Sequence, residues 1–246
     1  MWTLRWKQMK YALITGASGG IGSSTALSLA EEGWNLYLHY HTNEKAITDL
    51  IHKVEKLGVE AIPIRANLAL PKEVGSLVNS IFQLDAIIYS SGNSSWGMFQ
   101  DQTEEEVDYL INVHVKSPLL LIQKLLPKLI DRKGSIVMVS SIWGQIGGAC
   151  EVVYSTVKGA QLAFVKSLSK ELALSGVRIN AIAPGAVDTS MMGSFSEGEL
   201  EALREEIPMG RFARADEVSG SIQFLTSPKS SYITGQTISI NGGWHT

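Results

Sequence analysis

The chain has 246 residues, 45% apolar and 18% charged, which suits one large α/β domain with a real core and excludes a disordered chain. With 21 basic against 24 acidic side chains the net charge is −3, so no general field draws nucleic acid or an anionic membrane surface. A lone cysteine, Cys150, forms no internal disulfide and fits a reducing, cytoplasmic setting, and the longest aliphatic run, residues 119–122, is far short of a membrane span.

Residues 1–10 read as a basic, frayed N-terminal extension without the apolar stretch of a signal peptide, with Met9 a candidate native start. Residues 11–246 read as a single domain, because no repeat, linker or low-complexity stretch interrupts them. The first strand spans 11–15 and leads through a glycine-rich turn into a helix ending near Gly33. Residues 36–40 form a second strand. In the next helix Ile47, Leu50, Ile51, Val54 and Leu57 share one face, and Gly58 can end it. Strands at 61–66 and 86–90 flank a helix begun by Pro71. A long helical region covers 103–130. Its second half is apolar nearly all round, which calls for cover by the sheet and leaves room for another subunit. Strands at 136–139 and 178–183 bracket a helix over 152–174, and 238–240 closes as a seventh strand. This alternation predicts βαβ units around a parallel sheet. Residues 189–211, rich in Met, Ser, Gly and Glu, break the rhythm, and Met191 to Met209 is a candidate lid or a passive surface excursion.

Two constellations carry chemistry. Gly16, Ser18, Gly20, Ile21 and Gly22 lie in a turn between the first strand and the first helix, where a diphosphate can approach bare backbone and the helix N-terminus stabilises its charge. Ser141, Tyr154 and Lys158 form the second. Tyr154 and Lys158 are four apart on a helix and share a face, and an ammonium beside a phenol favours the phenolate. Ser141 ends the fifth strand, where it can hydrogen-bond a substrate oxygen. Trp143 and Cys150, between them, either border the substrate or simply pack. His39 and His41 alternate on one strand with no third ligand near them, so no metal site is expected.

With these motifs in this order the chain resembles the short-chain dehydrogenase/reductase family from Lys10 onward. The resemblance implies a three-layer, doubly wound Rossmann-type α/β fold with a seven-stranded parallel sheet. It implies a catalytic set of Asn112, Ser141, Tyr154 and Lys158: Tyr154 protonates a ketone oxygen, Lys158 lowers the tyrosine pKa and binds ribose, Ser141 polarises the carbonyl, and Asn112 holds a water of the proton relay. Pro184, Gly185, Val187 and Thr189 match the segment that holds the nicotinamide, and residues 231–235 and 241–243 resemble a segment used in tetramer contacts. Ser90, Ser91 and Gly92 stand where the family usually has Asn, Ala and Gly, and Asn67, followed by Leu68, replaces an adenine-contacting aspartate. At the end of strand two Tyr40, His41, Thr42 and Asn43 include no carboxylate, which favours NADP(H) over NAD(H), although Gly19 stands where NADP-dependent relatives often carry arginine.

Within the family the chain resembles the 3-oxoacyl-acyl-carrier-protein reductases. The Ser-Ser-Gly at 90–92 and the stretches 140–144 and 148–155 resemble more closely the branch that reduces a 5-aminopentanone group on a lysine of elongation factor P. Three functions follow: a ketone reductase acting on elongation factor P, with Glu151 a candidate partner for the substrate ammonium; a 3-oxoacyl thioester reductase that needs a basic surface for an acidic carrier protein; and, against the intact catalytic set, a non-catalytic dinucleotide-binding regulator. A homotetramer is the expected assembly.

Overall fold

The computed structural model describes residues 9–246. The extension proposed for 1–10 therefore lies mostly outside the described residues. Strands β1 (Lys10–Thr15), β2 (Trp34–Tyr40), β3 (Ala61–Arg65), β4 (Ala86–Tyr89), β5 (Ser135–Val139), β6 (Arg178–Pro184) and β7 (Thr237–Ile240) form one sheet in the order β3-β2-β1-β4-β5-β6-β7. Every neighbouring pair is parallel.

Helices cover both faces, so successive strand residues are buried on opposite sides and the strands read as continuous apolar runs. On one face Ile14, Leu38, Ile88 and Val137 pack under helices α1 (Gly20–Glu31), α2 (Glu44–Glu55) and, further along the chain, α9 (Ala215–Thr226). On the other, Leu13, Tyr37, Ile87 and Met138 pack under α3 (Glu73–Asn79), then α4 (Glu104–Ile111) leads into α5 (Ser117–Arg132). After β5 come the short α6 (Trp143–Ile146) and the long α7 (Val152–Leu172), whose Val165, Leu168 and Leu172 complete that layer. Helix α8 (Glu197–Glu206) lies between β6 and α9. The strand order reverses between β1 and β4, and the crevice beyond their carboxyl ends is where such sheets bind ligands.

Three expectations need correction. The helix begun by Pro71 starts at Glu73, because residues 70–73 close a turn in which the Glu73 N–H donates to the Leu70 carbonyl. The helix over 103–130 is interrupted by a π turn at Asn112–Lys116, where the Ser117 N–H donates to the Asn112 carbonyl five residues back. Residues 189–211 do contain a helix, α8, capped reciprocally by Ser196 and Glu199. Within α5 the chain itself buries Leu121, Ile122, Leu125 and Leu129, while Leu119 stays exposed.

Candidate active site

The turn after β1 shows why glycine occupies its key positions. Gly16 has φ +67°, and a Cβ there would lie 3.0 Å from the Ser91 Cα. At Gly22 a Cβ would lie 2.2 Å from the Gly16 carbonyl oxygen, and at Gly20 2.4 Å from Thr189. Gly19 precedes α1 without offering a side chain to cap it, and the first turn holds no acid. Gly16, Gly19, Gly20 and Gly22 thus present bare backbone and a helix N-terminus to a cavity of about 680 Å³. This cradle fits a dinucleotide diphosphate.

A histidine fixes the turn from below. His39 is buried on β2; its Nδ1 accepts from the Gly16 N–H (3.1 Å), and its Nε2 lies 3.1 Å from the Ala66 carbonyl, to which it must donate. Both partners require the neutral ring with its proton on Nε2, and burial lowers its pKa from 6.5 to about 4. His39 is therefore a fixed strut, whereas His41 is exposed. Thr15 supports the other side, its hydroxyl oxygen accepting from the backbone N–H groups of Ser90 and Ser91.

Ser141, Tyr154 and Lys158 meet on the cavity wall, positioned by the end of β5 and the first turns of α7. The Ser141 hydroxyl accepts from the Trp143 N–H (3.2 Å), and the serine side chain also favours the ionised form of Tyr154. Lys158 is almost completely buried; its Nζ donates to the Val139 carbonyl (2.8 Å) and sits 5.5 Å from the centre of the Tyr154 ring. The expected lowering of the tyrosine pKa by Lys158 is not what these positions produce. Burial first, and the Glu151 charge second, raise the phenol pKa, while burial alone lowers Lys158 from 10.5 to about 7. The ammonium stands over the ring face and is spent on a carbonyl, and both ionised forms pay for desolvation.

Ser90, Gly92, Pro184, Gly185, Val187 and Thr189 join the glycine turn and Ile21 around the same cavity. Ser18, Tyr40, His41, Asn67, Leu68, Ser91 and Asn112 do not line it. Asn67 uses its side-chain oxygen on the Ala69 N–H, and Leu68 is buried with its carbonyl accepting from Ser117. Asn112 opens the π turn, whose His114 packs against Tyr154.

Comparison with known proteins bears on this arrangement. The sequence model of the family described as Enoyl-(Acyl carrier protein) reductase matches residues 16–245. The chain is a classical short-chain dehydrogenase/reductase. Over 96% of its length it is 51% identical to an uncharacterized oxidoreductase, YmfI, of Bacillus subtilis strain 168, covering 99% of that protein. It is 34% identical to the 3-oxoacyl-[acyl-carrier-protein] reductase FabG of Staphylococcus aureus, covering 97% of this chain and 99% of that one. Two solved structures superpose with a TM-score of 0.91: a blue fluorescent protein from a metagenomic library in complex with NADPH (25% identity, 96% and 98% coverage) and the angucycline C-6 ketoreductase LanV with bound NADP (28%, 96% and 95%). The family consists of oxidoreductases, and the Rossmann-type expectation holds.

The cavity of this short-chain dehydrogenase/reductase also has a large apolar share. Trp96, Trp143 and Trp244 line it with Met192, Phe195 and Leu203, the last three from the 189–211 segment. Trp143 and Trp244 pack edge to face at 5.3 Å. Glu151 lines the same cavity, next to Trp143. Burial raises its pKa, and the Ser94 and Trp143 side chains beside it work in the opposite direction. Cys150 is half-buried at φ +61°, its carbonyl accepting from the Gly97 N–H. Trp143 thus borders the cavity and Cys150 packs beside it. Sequence reasoning missed His39 as a strut, Arg65, whose Nε donates to the His41 carbonyl (3.2 Å), and His114. A lone histidine among the apolar inward residues of β2 was the available signal for the first.

Proposed function

We propose that this chain is an NADPH-dependent reductase that converts a ketone to a secondary alcohol, and that its substrate is the 5-aminopentanone group on a lysine of elongation factor P. When bound, the reduced nicotinamide supplies the hydride. Tyr154 delivers a proton to the carbonyl oxygen, and its raised pKa suits an acid that stays protonated until charge develops on that oxygen. Ser141 polarises the carbonyl, Lys158 orients the tyrosine and cofactor ribose, and Asn112 holds water for the proton supply. Thr189, packed on Gly20, with Pro184, Gly185 and Val187 forms the nicotinamide wall. The preference for NADPH is supported by the absence of an acid at 40–43, by Arg65 beside His41, and by the NADPH and NADP bound to the two structural relatives.

The observation that carries the substrate reading is an acid, Glu151, in a cavity wall that also holds Trp96, Trp143 and Trp244. A carboxylate beside Trp143 suits an ammonium, through charge and through the ring face together. The helix that brings Leu203 to the cavity, α8, carries Glu197, Glu199, Glu201, Glu205 and Glu206 against Arg204. Such a rim repels an acidic carrier protein and attracts a basic one. The identity with FabG of Staphylococcus aureus supports the second reading, a 3-oxoacyl-acyl-carrier-protein reductase. Steady-state kinetics with NADPH on ketone-modified elongation factor P and on an acetoacetyl carrier protein separates the two. A higher kcat/KM for the modified factor is expected, and a higher value for the thioester would reverse the assignment. A homotetramer is proposed alongside, since Tyr109, Ile111 and Leu119 expose apolar surface on α4 and α5.

A further inference from the structure

We propose that His114 is a positioning residue for substrate selection: it clamps the loop at 92–97 and, through Ser94, sets the Glu151 carboxylate that receives a cationic substrate group. The proposal rests on the ammonium reading given above for Glu151.

The loop at 92–97 forms one wall of the cavity with Asn93, Ser94 and Trp96, and it has no helix or strand hydrogen bonds to hold it. Its fastenings are therefore few and identifiable. At one end the Gly97 N–H donates to the Cys150 carbonyl (2.8 Å). At the other, His114 Nε2 lies 3.0 Å from the Asn93 carbonyl, which can only accept, so the ring is neutral and protonated on Nε2. Between these two points Ser94 lines the same cavity as Glu151, and its side chain favours the ionised carboxylate.

His114 is itself held rigidly. It is fully buried, and it lies inside the π turn, whose extra residue changes which side chains face α7. The Gln161 side-chain amide of α7 donates to the His114 carbonyl (2.8 Å). The imidazole stands edge to face against Tyr154, with centroids 5.6 Å apart and planes at 89°. It also presses on Gly92, where a Cβ would lie 2.0 Å from the ring Cε1. One ring thus touches Tyr154, Gly92 and the Asn93 carbonyl. A leucine of similar bulk would satisfy the packing and leave the Asn93 carbonyl without its donor. A polar ring in this place is explained by what it holds and not by the space it fills.

The test compares binding of 5-amino-1-pentanol and 1,5-pentanediol, a cationic and a neutral product-like alcohol, to the NADP-loaded protein by calorimetry. The natural protein is expected to prefer the amino alcohol by about tenfold, the worth of one charge-assisted contact. Glu151→Gln, His114→Leu and Ser94→Ala should each bring the two affinities within about threefold while NADP affinity is retained. His114→Gln, which keeps an N–H donor, should recover most of the preference. Ser94→Ala carries the test if His114→Leu does not fold. If the natural protein binds both alcohols equally, the ammonium reading falls and this proposal with it. If Glu151→Gln removes the preference while His114→Leu or Ser94→Ala leaves it intact, the positioning role alone is overturned.

Discussion

Replacing His39 by asparagine separates its role as a strut from every other source of acid sensitivity. In the folded chain its pKa is about 4, against 6.5 for a free imidazole, so the unfolded chain binds the proton more readily. Stability from this residue is complete above about pH 6.5 and is lost as pH falls toward 4. Worked at pH 5 relative to pH 8, the loss is about 2 kcal/mol, rising to about 3 kcal/mol once pH is below 4. Asparagine can still accept from the Gly16 N–H but cannot titrate, and it leaves the Ala66 carbonyl without a donor. His39→Asn is thus expected to be about 1 kcal/mol less stable at pH 8. Between pH 8 and pH 5 it should lose about 2 kcal/mol less than the natural protein. Urea unfolding of both proteins at pH 8, 6.5 and 5 measures this, and the other titrating groups cancel in the comparison. Parallel pH dependences would refute the assignment of a neutral, doubly bonded His39.

Gly22→Ala would place a Cβ 2.2 Å from the Gly16 carbonyl oxygen, so the cradle must open; NADPH affinity should fall at least about tenfold in a fluorescence titration. Arg65→Gln should weaken NADPH about fivefold and leave NADH nearly unchanged, because only the former carries the phosphate that Arg65 would meet. Equal losses for both cofactors would remove Arg65 from cofactor selection. Sedimentation at micromolar concentration is expected to give a tetramer, and a monomer would show that the apolar surface at Tyr109, Ile111 and Leu119 needs no partner copy.

Features that depend on local spacing were legible in the sequence. The glycine turn announced itself by composition, and Tyr154 and Lys158 by a four-residue step on a helix. The parallel sheet followed from the βαβ rhythm, whereas the order of its strands is seen only in the structure. The missed features depend on partners distant in the chain. His39 meets Gly16 across 23 residues and His114 meets Asn93 across 21, and nothing in the sequence near either histidine announces its partner. The π turn was hidden because it shifts the register of a helix without breaking its apolar pattern. Helix α8 has no buried residues and so no apolar stripe to betray it; the Ser196–Glu199 capping pair was the readable signal. For a related reason, sequence places Lys158 on the same helix face as Tyr154 but cannot show the burial that raises the phenol pKa.

The most direct test of the account is the intact mass of ketone-modified elongation factor P after incubation with NADPH and this protein, beside the Tyr154→Phe variant. The account predicts a gain of two hydrogens with the natural protein, and none with a variant that still binds NADPH. An unchanged mass with the natural protein, under conditions where NADPH binding is demonstrated, would contradict it.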